Sequence, residues 1–256
     1  QELAQYLHEI GHKIYVATSY PQYNLSDNAP NDKVPEYSCE NNINVLRVKT
    51  LPHHKVNFII RGISQLTMPS FFYKKIKKYI KENIDIVIVY SPPLTLASIG
   101  KKIKAKCGAK FLLNLQDIFP QNAIDLGVLN NKLLIWFFER IEKKMYDVCD
   151  ELIVHSKGNQ KFLITRKQIS ESKTHVIHNW IDTSHFANAS RTGDFRRSYG
   201  LKYSDFVILF AGVIGPSQGL DSIIVAATKV KHKKDIRFLF VGDGTEKDRL
   251  EEMTND

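Results

Sequence analysis

The runs IDIVIVYS (84–91) and AKFLLNLQD (109–117) are each one strand long and almost unbroken in apolar side chains. A strand with one wet face alternates; a strand covered on both faces does not. KIYVATS (13–19), NINVLRVKT (42–50), ELIVHS (151–156) and KTHVIHN (173–179) are further strand candidates. Helical patterns fall between them, at 2–11, 57–82, 93–107, 130–147 and 157–166. Strand and helix in alternation predict a doubly wound parallel sheet. Polar, turn-rich sequence from Asn179 to Asp205, including NASRTGD, interrupts the pattern. It resumes with FVILFAG (206–212), a helix over 217–231, IRFLFVG (236–242) and a glycine turn into a last helix. The expectation is α/β with two Rossmann-like domains, 1–178 and 179–256, on parallel sheets, the second incomplete. The chain begins QELAQYLHEIGH in helical period and without Met, and it stops at LEEMTND in the same period. A piece of a longer protein is expected.

Composition narrows the partners. No run of about 18 apolar residues exists, so no transmembrane helix is expected, and no signal peptide is read at the start. Cys39, Cys107 and Cys149 are scattered and odd in number, which suits neither a disulfide framework nor a zinc site and fits a reducing cytoplasm. The net charge is +9. The excess is concentrated in Lys74, Lys75, Lys77, Lys78 and Lys81, and again in Lys101, Lys102, Lys104, Lys106 and Lys110. Such a surface suits an anionic partner, whether nucleic acid, acidic lipid or phosphorylated substrate; a solvated helix face would look the same. Segment 56–83 mixes these lysines with Phe71, Phe72 and Ile76 at helical spacing, the composition of an interfacial membrane helix and equally of a core-facing one.

The loop after the strand at 206–212 carries Gly212, Gly215, Gln218 and Gly219 before a helix. Glycines there let backbone N–H groups approach an anion, and the helix dipole adds about half a positive charge. The spacing is not GxGxxG and no Walker lysine follows, so a tight connection explains the loop as well. VGDGTEK (241–247) is a second such turn, where Lys247 either counters a phosphate or is simply exposed. Asp117 lies just past a buried strand, placed to act on substrate or to cap the following turn. His155 and Ser156 close one strand, His178 and Asn179 another; Ser156 contacts substrate or caps the next helix. His8, His12, His53 and His54 show no metal-ligand spacing.

Four stretches together resemble one family. ELAQYLHEIGHKIYVAT, VIHNWID…F (176–186), LFAGVIGPSQGLDSIIVAA and FLFVGDGTEKDRLE are similar, in this order, to the family-4 glycosyltransferases, which are retaining and have the GT-B fold. LQDIFPQNAIDLGVL resembles a subgroup that builds bacterial O-antigen, capsule and colanic acid and includes transferases of N-acetyl-L-fucosamine. The resemblance implies a UDP-linked sugar donor, an acceptor on polyprenyl diphosphate, no cofactor and no metal. It implies a cytoplasmic protein on the inner face of the membrane, docked through the lysines at 74–81, with no nucleic-acid partner. Asp117 would be the catalytic or acceptor-orienting group, standing where many members have His. Ser156, Asn179, Gly212, Gly215, Gln218, Gly219 and Lys247 would bind substrate. The Arg and Lys that many members carry in the glycine loop are absent here, so backbone amides and Lys247 would substitute. The Glu-x7-Glu motif would lie beyond Asp256, so this stretch alone is expected to be inactive. A GT-B-fold sugar-nucleotide epimerase and a basic nucleic-acid-binding α/β protein are the competing readings.

Overall fold

Strand and helix alternate in the computed structural model, which describes residues 2–20, 34–52, 58–187 and 192–255. In chain order the first part contains α1 (Glu2–Glu9), β1 (Tyr15–Ser19), β2 (Tyr37–Glu40), β3 (Ile43–Val48), α2 (Phe58–Tyr79) and β4 (Ile86–Ser91). There follow α3 (Ala97–Cys107), β5 (Lys110–Leu115), α4 (Gln121–Asp125), α5 (Lys132–Val148), β6 (Glu151–Val154), α6 (Lys157–Lys167) and β7 (Thr174–Val176). The second part contains α7 (Ser184–Ala187), α8 (Asp194–Ser198), β8 (Phe206–Ala211), α9 (Leu220–Lys229), β9 (Ile236–Val241) and α10 (Lys247–Asn255). The chain divides into two compact units, Gln1–Asp182 and Thr183–Asp256.

In the first unit β4, β5, β6 and β7 form an all-parallel sheet in that order. One register row reads Val89, Leu113, Leu152, Thr174; the next reads Tyr90, Asn114, Ile153, His175. β5 is central, and Phe111, Leu113 and Leu115 are fully buried against Leu94, Ala97, Met145, Tyr146 and Leu163. Helices on both faces explain the unbroken apolar run. α3 lies so close to β5 that a Cβ on Gly100 would fall 2.3 Å from the Phe111 ring, so a glycine in the helix interior is tolerated for packing.

A second, three-stranded sheet has the order β1-β3-β2. β1 runs parallel to β3, but β2 is antiparallel to it, an element absent from the sequence reading. Glu40 pairs with Ile43 across Asn41 and Asn42, whose φ values of 48° and 63° are those of a two-residue hairpin turn. α2 and α3 cover β3 through Leu46, Val48, Met68, Phe72, Ile99 and Ile103. Phe72 is therefore core and Ile76 packs beside it, so of the two readings open for this segment these residues follow the core-facing one. Among the described residues no helix is long and apolar enough to cross a membrane.

In the second unit β8 and β9 pair in parallel, Phe206 with Ile236 through Ala211 with Val241. α9 and α10 supply Leu220, Ile224, Leu250 and Met253 to a small core with Phe210 and Phe240. Phe206 and Leu209 remain exposed. The continuous apolar run of β8 is thus covered on one side only among the described residues.

Candidate functional site

Polar side chains collect where the four parallel strands of the first unit end. Asn114 interrupts the apolar run of β5 and is buried. A buried amide has to be paired, and its Oδ1 lies 2.7 Å from His155 Nε2 and accepts from Gln116 Nε2 at 3.2 Å. The other ring nitrogen, His155 Nδ1, lies 2.7 Å from the Ile177 carbonyl oxygen. The imidazole is therefore pinned from both sides by the ends of β5 and β7. His178 Nδ1 in turn lies 2.9 Å from the His155 carbonyl oxygen. Tyr90, opposite Asn114 in register, has its phenol pushed up by burial, against a hydrogen bond from Asn114. The Ser91 hydroxyl at the end of β4 is buried without a protein partner among the described residues. This edge is a rigid set of hydrogen-bonding groups of the kind that recognises a hydroxyl-rich ligand.

Asp117 lies two residues past β5, exposed, next in chain to Gln116. It caps nothing: α4 begins after Pro120, which has no side-chain cap. Ser156 does cap α6, its Oγ accepting from Asn159 N at 3.0 Å. Asn179 is exposed just beyond β7 and belongs to the first compact unit, whose limit is at Asp182. The basic α2 residues divide. Lys75 is held by Glu36 at 2.6 Å, and that ammonium keeps the Glu36 carboxyl below its usual range. Lys81 donates to the Lys77 carbonyl at 3.0 Å, whereas Lys74, Lys77 and Lys78 lie exposed. Of this edge, sequence reading found Asp117, His155, Ser156, His178 and Asn179 and missed Tyr90, Ser91, Asn114 and Gln116. The available signal was Asn114, a lone amide inside FLLNL.

The glycines of the second unit have separable reasons. The loop after β8 and the loop after β9 continue the strand pairing: Gly212 N donates to the Val241 carbonyl at 2.9 Å and Ile214 N to the Asp243 carbonyl at 2.9 Å. A Cβ on Gly242 would fall 1.8 Å from the Gly212 oxygen, and one on Gly244 2.1 Å from the Ile214 oxygen. These two glycines, which the sequence reading did not single out, are required by the close approach of the loops. Gly219 has φ +59° at the start of α9, a conformation that favours glycine. Gly215 differs: its φ of −134° is extended, and a Cβ would meet nothing nearer than Val213 Cγ1 at 3.9 Å. Neither the turn nor the packing requires glycine there. Gln218 is exposed in the 3-10 turn Pro216–Gln218. Lys247 is half-buried at the first position of α10, and no carboxylate pairs with it among the described residues.

Parallel α/β units of this kind, with their chemistry gathered at strand ends, are the build of a GT-B-fold glycosyltransferase. Residues 1–185 match Glycosyltransferase Family 4, and residues 192–256 match Glycosyl transferases group 1. The chain belongs to glycosyltransferase family 4. It is 25% identical over 194 residues to the "Probable glycosyltransferase WbjE" of Pseudomonas aeruginosa, covering 75% of this chain and 47% of that one. It is 25% identical over 264 residues to the "Putative colanic acid biosynthesis glycosyl transferase WcaI" of Escherichia coli K12, covering 98% of this chain and 63% of that one. Thus the chain spans between about half and two thirds of the length of these relatives. Among solved structures, the sucrose-phosphate synthase of Thermosynechococcus elongatus superposes with a TM-score of 0.70 at 16% identity, over 99% of this chain and 60% of that one. HepE of Anabaena, solved in complex with UDP, superposes with a TM-score of 0.56 at 17% identity, over 84% and 52%.

Proposed function

We propose that the protein transfers a sugar, an N-acetylated deoxyamino sugar, from a UDP-linked donor to a glycan carried on polyprenyl diphosphate, in surface polysaccharide synthesis at the inner face of the cytoplasmic membrane. The observation that carries the donor reading is Gly215. It is a glycine that neither backbone conformation nor neighbours require, in a loop that leads into a helix N-terminus. A diphosphate lying against the backbone is a reason for glycine that remains. Structural likeness to a protein solved with UDP and sequence likeness to one described for colanic acid synthesis favour the donor and the pathway class.

Transfer proceeds with retention at the anomeric carbon. That carbon gains oxocarbenium character as the diphosphate leaves, and charge grows on the leaving oxygen. The amides at the start of α9 and the Lys247 ammonium stabilise that charge. The first unit supplies the acceptor side: Asp117 accepts from the attacking hydroxyl, and Gln116 holds the sugar ring in orientation. No step asks for a metal or a cofactor.

The test is differential melting of the full-length protein with UDP, UDP-N-acetylglucosamine, GDP and NAD. Stabilisation by the uridine nucleotides alone, reduced at least about tenfold in apparent affinity by Gly215→Val with melting of the free protein unchanged, is expected. Equal affinity of wild type and variant would remove Gly215 from the donor site.

A further inference from the structure

The first half of α5 is apolar where it should be wet. Asn131 fixes its start, with Oδ1 accepting from Leu133 N at 3.0 Å and Leu134 N at 3.2 Å. From there the second half of the helix turns Met145 and Tyr146 into the core. In the first half Phe138 packs edge-on to Phe119 at 5.0 Å, but its neighbours do not follow it inward. Leu133 is 78% exposed, Trp136 60%, and Leu134 and Phe137 are above 40%. Val128, in the loop just before, is 64% exposed, and Leu126 is exposed beside it. Six large apolar side chains within twelve residues are exposed, four of them on a capped helix end and two in the loop before it. An apolar patch of this kind marks an interaction surface.

The charges around it identify the partner. Lys132, Arg140, Lys143 and Lys144 flank the apolar residues and are exposed. The Arg140 guanidinium lies 5.6 Å over the Trp136 ring. Of the acidic residues on the helix, Glu142 is buried and bound to Lys167 at 2.8 Å, Glu139 lies 3.6 Å from the same ammonium, and Asp147 is exposed near the far end. The four cations outnumber the exposed carboxylates of the helix, and the rim is positive. A second copy docked on this face would set that rim against itself, whereas an anionic bilayer neutralises it. Trp and Phe amid Lys and Arg is also the composition that settles at a headgroup boundary. We infer that Val128, Leu133, Leu134, Trp136 and Phe137 form a tip that inserts into an anionic membrane surface, with the flanking cations on the lipid phosphates. The exposed residues Ile63, Leu66 and Phe71 of α2 belong to a helix that packs, like α5, against the turn Leu94–Leu96. The biological purpose of the tip rests on the membrane-borne acceptor proposed above; its physics does not.

Residues 1–256 hold Trp136 and Trp180, and the Trp136 signal is read as the difference between the full-length protein and its Trp136→Phe variant. Each is mixed with vesicles of phosphatidylcholine, with and without phosphatidylglycerol. Expected are a blue shift of Trp136 emission, its quenching by brominated acyl chains, and co-sedimentation with the anionic vesicles only. Leu133→Ser with Val128→Ser should weaken that partitioning by at least about tenfold, and because both side chains are mostly in solvent, melting of the free protein should be unchanged. No blue shift, or partitioning that the double variant does not alter, overturns the proposal. So does sedimentation of the free protein as a dimer that the double variant dissociates, which would make a second copy the occupant. Vesicle binding without any UDP stabilisation would keep the tip and sink the transferase reading; UDP stabilisation without vesicle binding would do the reverse.

Discussion

Gly242→Ala asks whether the glycine loops of the second unit are held as described. The added methyl would start 1.8 Å from the Gly212 carbonyl oxygen and 3.0 Å from its carbon. Both atoms are backbone, so no side chain can swing away. Ordinary contact begins at 3.4 Å, so the loops must part by about 1.6 Å. That separation falls on the two bonds that hold them, Gly212 N to Val241 O and Ile214 N to Asp243 O, each 2.9 Å. Stretched past 4 Å, neither survives. Two lost backbone bonds cost roughly 2–3 kcal/mol. For a domain of about 150–250 residues such a loss lowers melting by roughly 4–12 °C. Calorimetry of Gly242→Ala beside Gly215→Ala is the assay, because the methyl on Gly215 meets only Val213 at 3.9 Å and should leave melting unchanged. Wild-type melting in Gly242→Ala would show that the loops are not in contact. An equal fall in Gly215→Ala would erase the division between glycines needed for packing and the one left for a ligand.

Asn114→Leu removes the oxygen that Gln116 Nε2 donates to and that faces His155 Nε2, at half-buried side chains, a loss of roughly 1–2 kcal/mol that should lower melting of the first unit by roughly 2–8 °C. Unchanged melting by circular dichroism would refute the network. Asp150, whose carboxyl the Lys104 ammonium and the Phe111 N–H hold below the ordinary value, contributes stability that is complete above that value and is lost as pH falls through the lowered one. Asp150→Asn should therefore be less stable than wild type at neutral pH, with the difference closing in acid. Glu142 has the opposite sign: burial raises its carboxyl despite Lys167, so the native state holds the proton more tightly than the unfolded chain does. The standing of Glu142→Gln against wild type should improve as pH rises above 4.5; pH-independent differences for both variants would contradict these assignments. Burial pushes the Cys149 thiol up to about 11, so maleimide at neutral pH should label the exposed Cys39 and spare Cys149 in the native protein.

Periodicity carried the parallel sheets into view because burial on both faces leaves a mark in a single strand's composition. β5 shows this plainly, although its one amide, Asn114, went unread as a mark of the site. β2 left no such mark. Its four residues, YSCE, are exposed or half-buried, and what makes them a strand is the Asn41–Asn42 turn that folds them back onto β3. A turn needing two positive φ values is readable from Asn-Gly more easily than from Asn-Asn. The glycine loops show a second limit. Gly212, Gly215 and Gly219 stood out by their spacing before a helix, yet Gly242 and Gly244 are the pair that packing requires, and their need arises from a neighbouring loop some thirty residues earlier in the chain.

Segments 56–83 and 126–144 are alike in composition, mixing aromatics with lysines, and composition alone left the first as readily core-facing as membrane-facing. The structure separates them by which atoms have somewhere else to go. β3 and α3 lie under α2, so Phe72 and Met68 leave the solvent, and Lys75 finds Glu36. In the first two turns of α5 Phe138 packs on Phe119. Leu133 and Trp136 stay largely out, and among the described residues Glu139 is drawn to Lys167 rather than to the cations beside them. An amphipathic helix turns its apolar stripe to whatever surface lies beneath it. Where the protein offers none, the stripe keeps its affinity for an apolar phase, and the charge around it selects an anionic one.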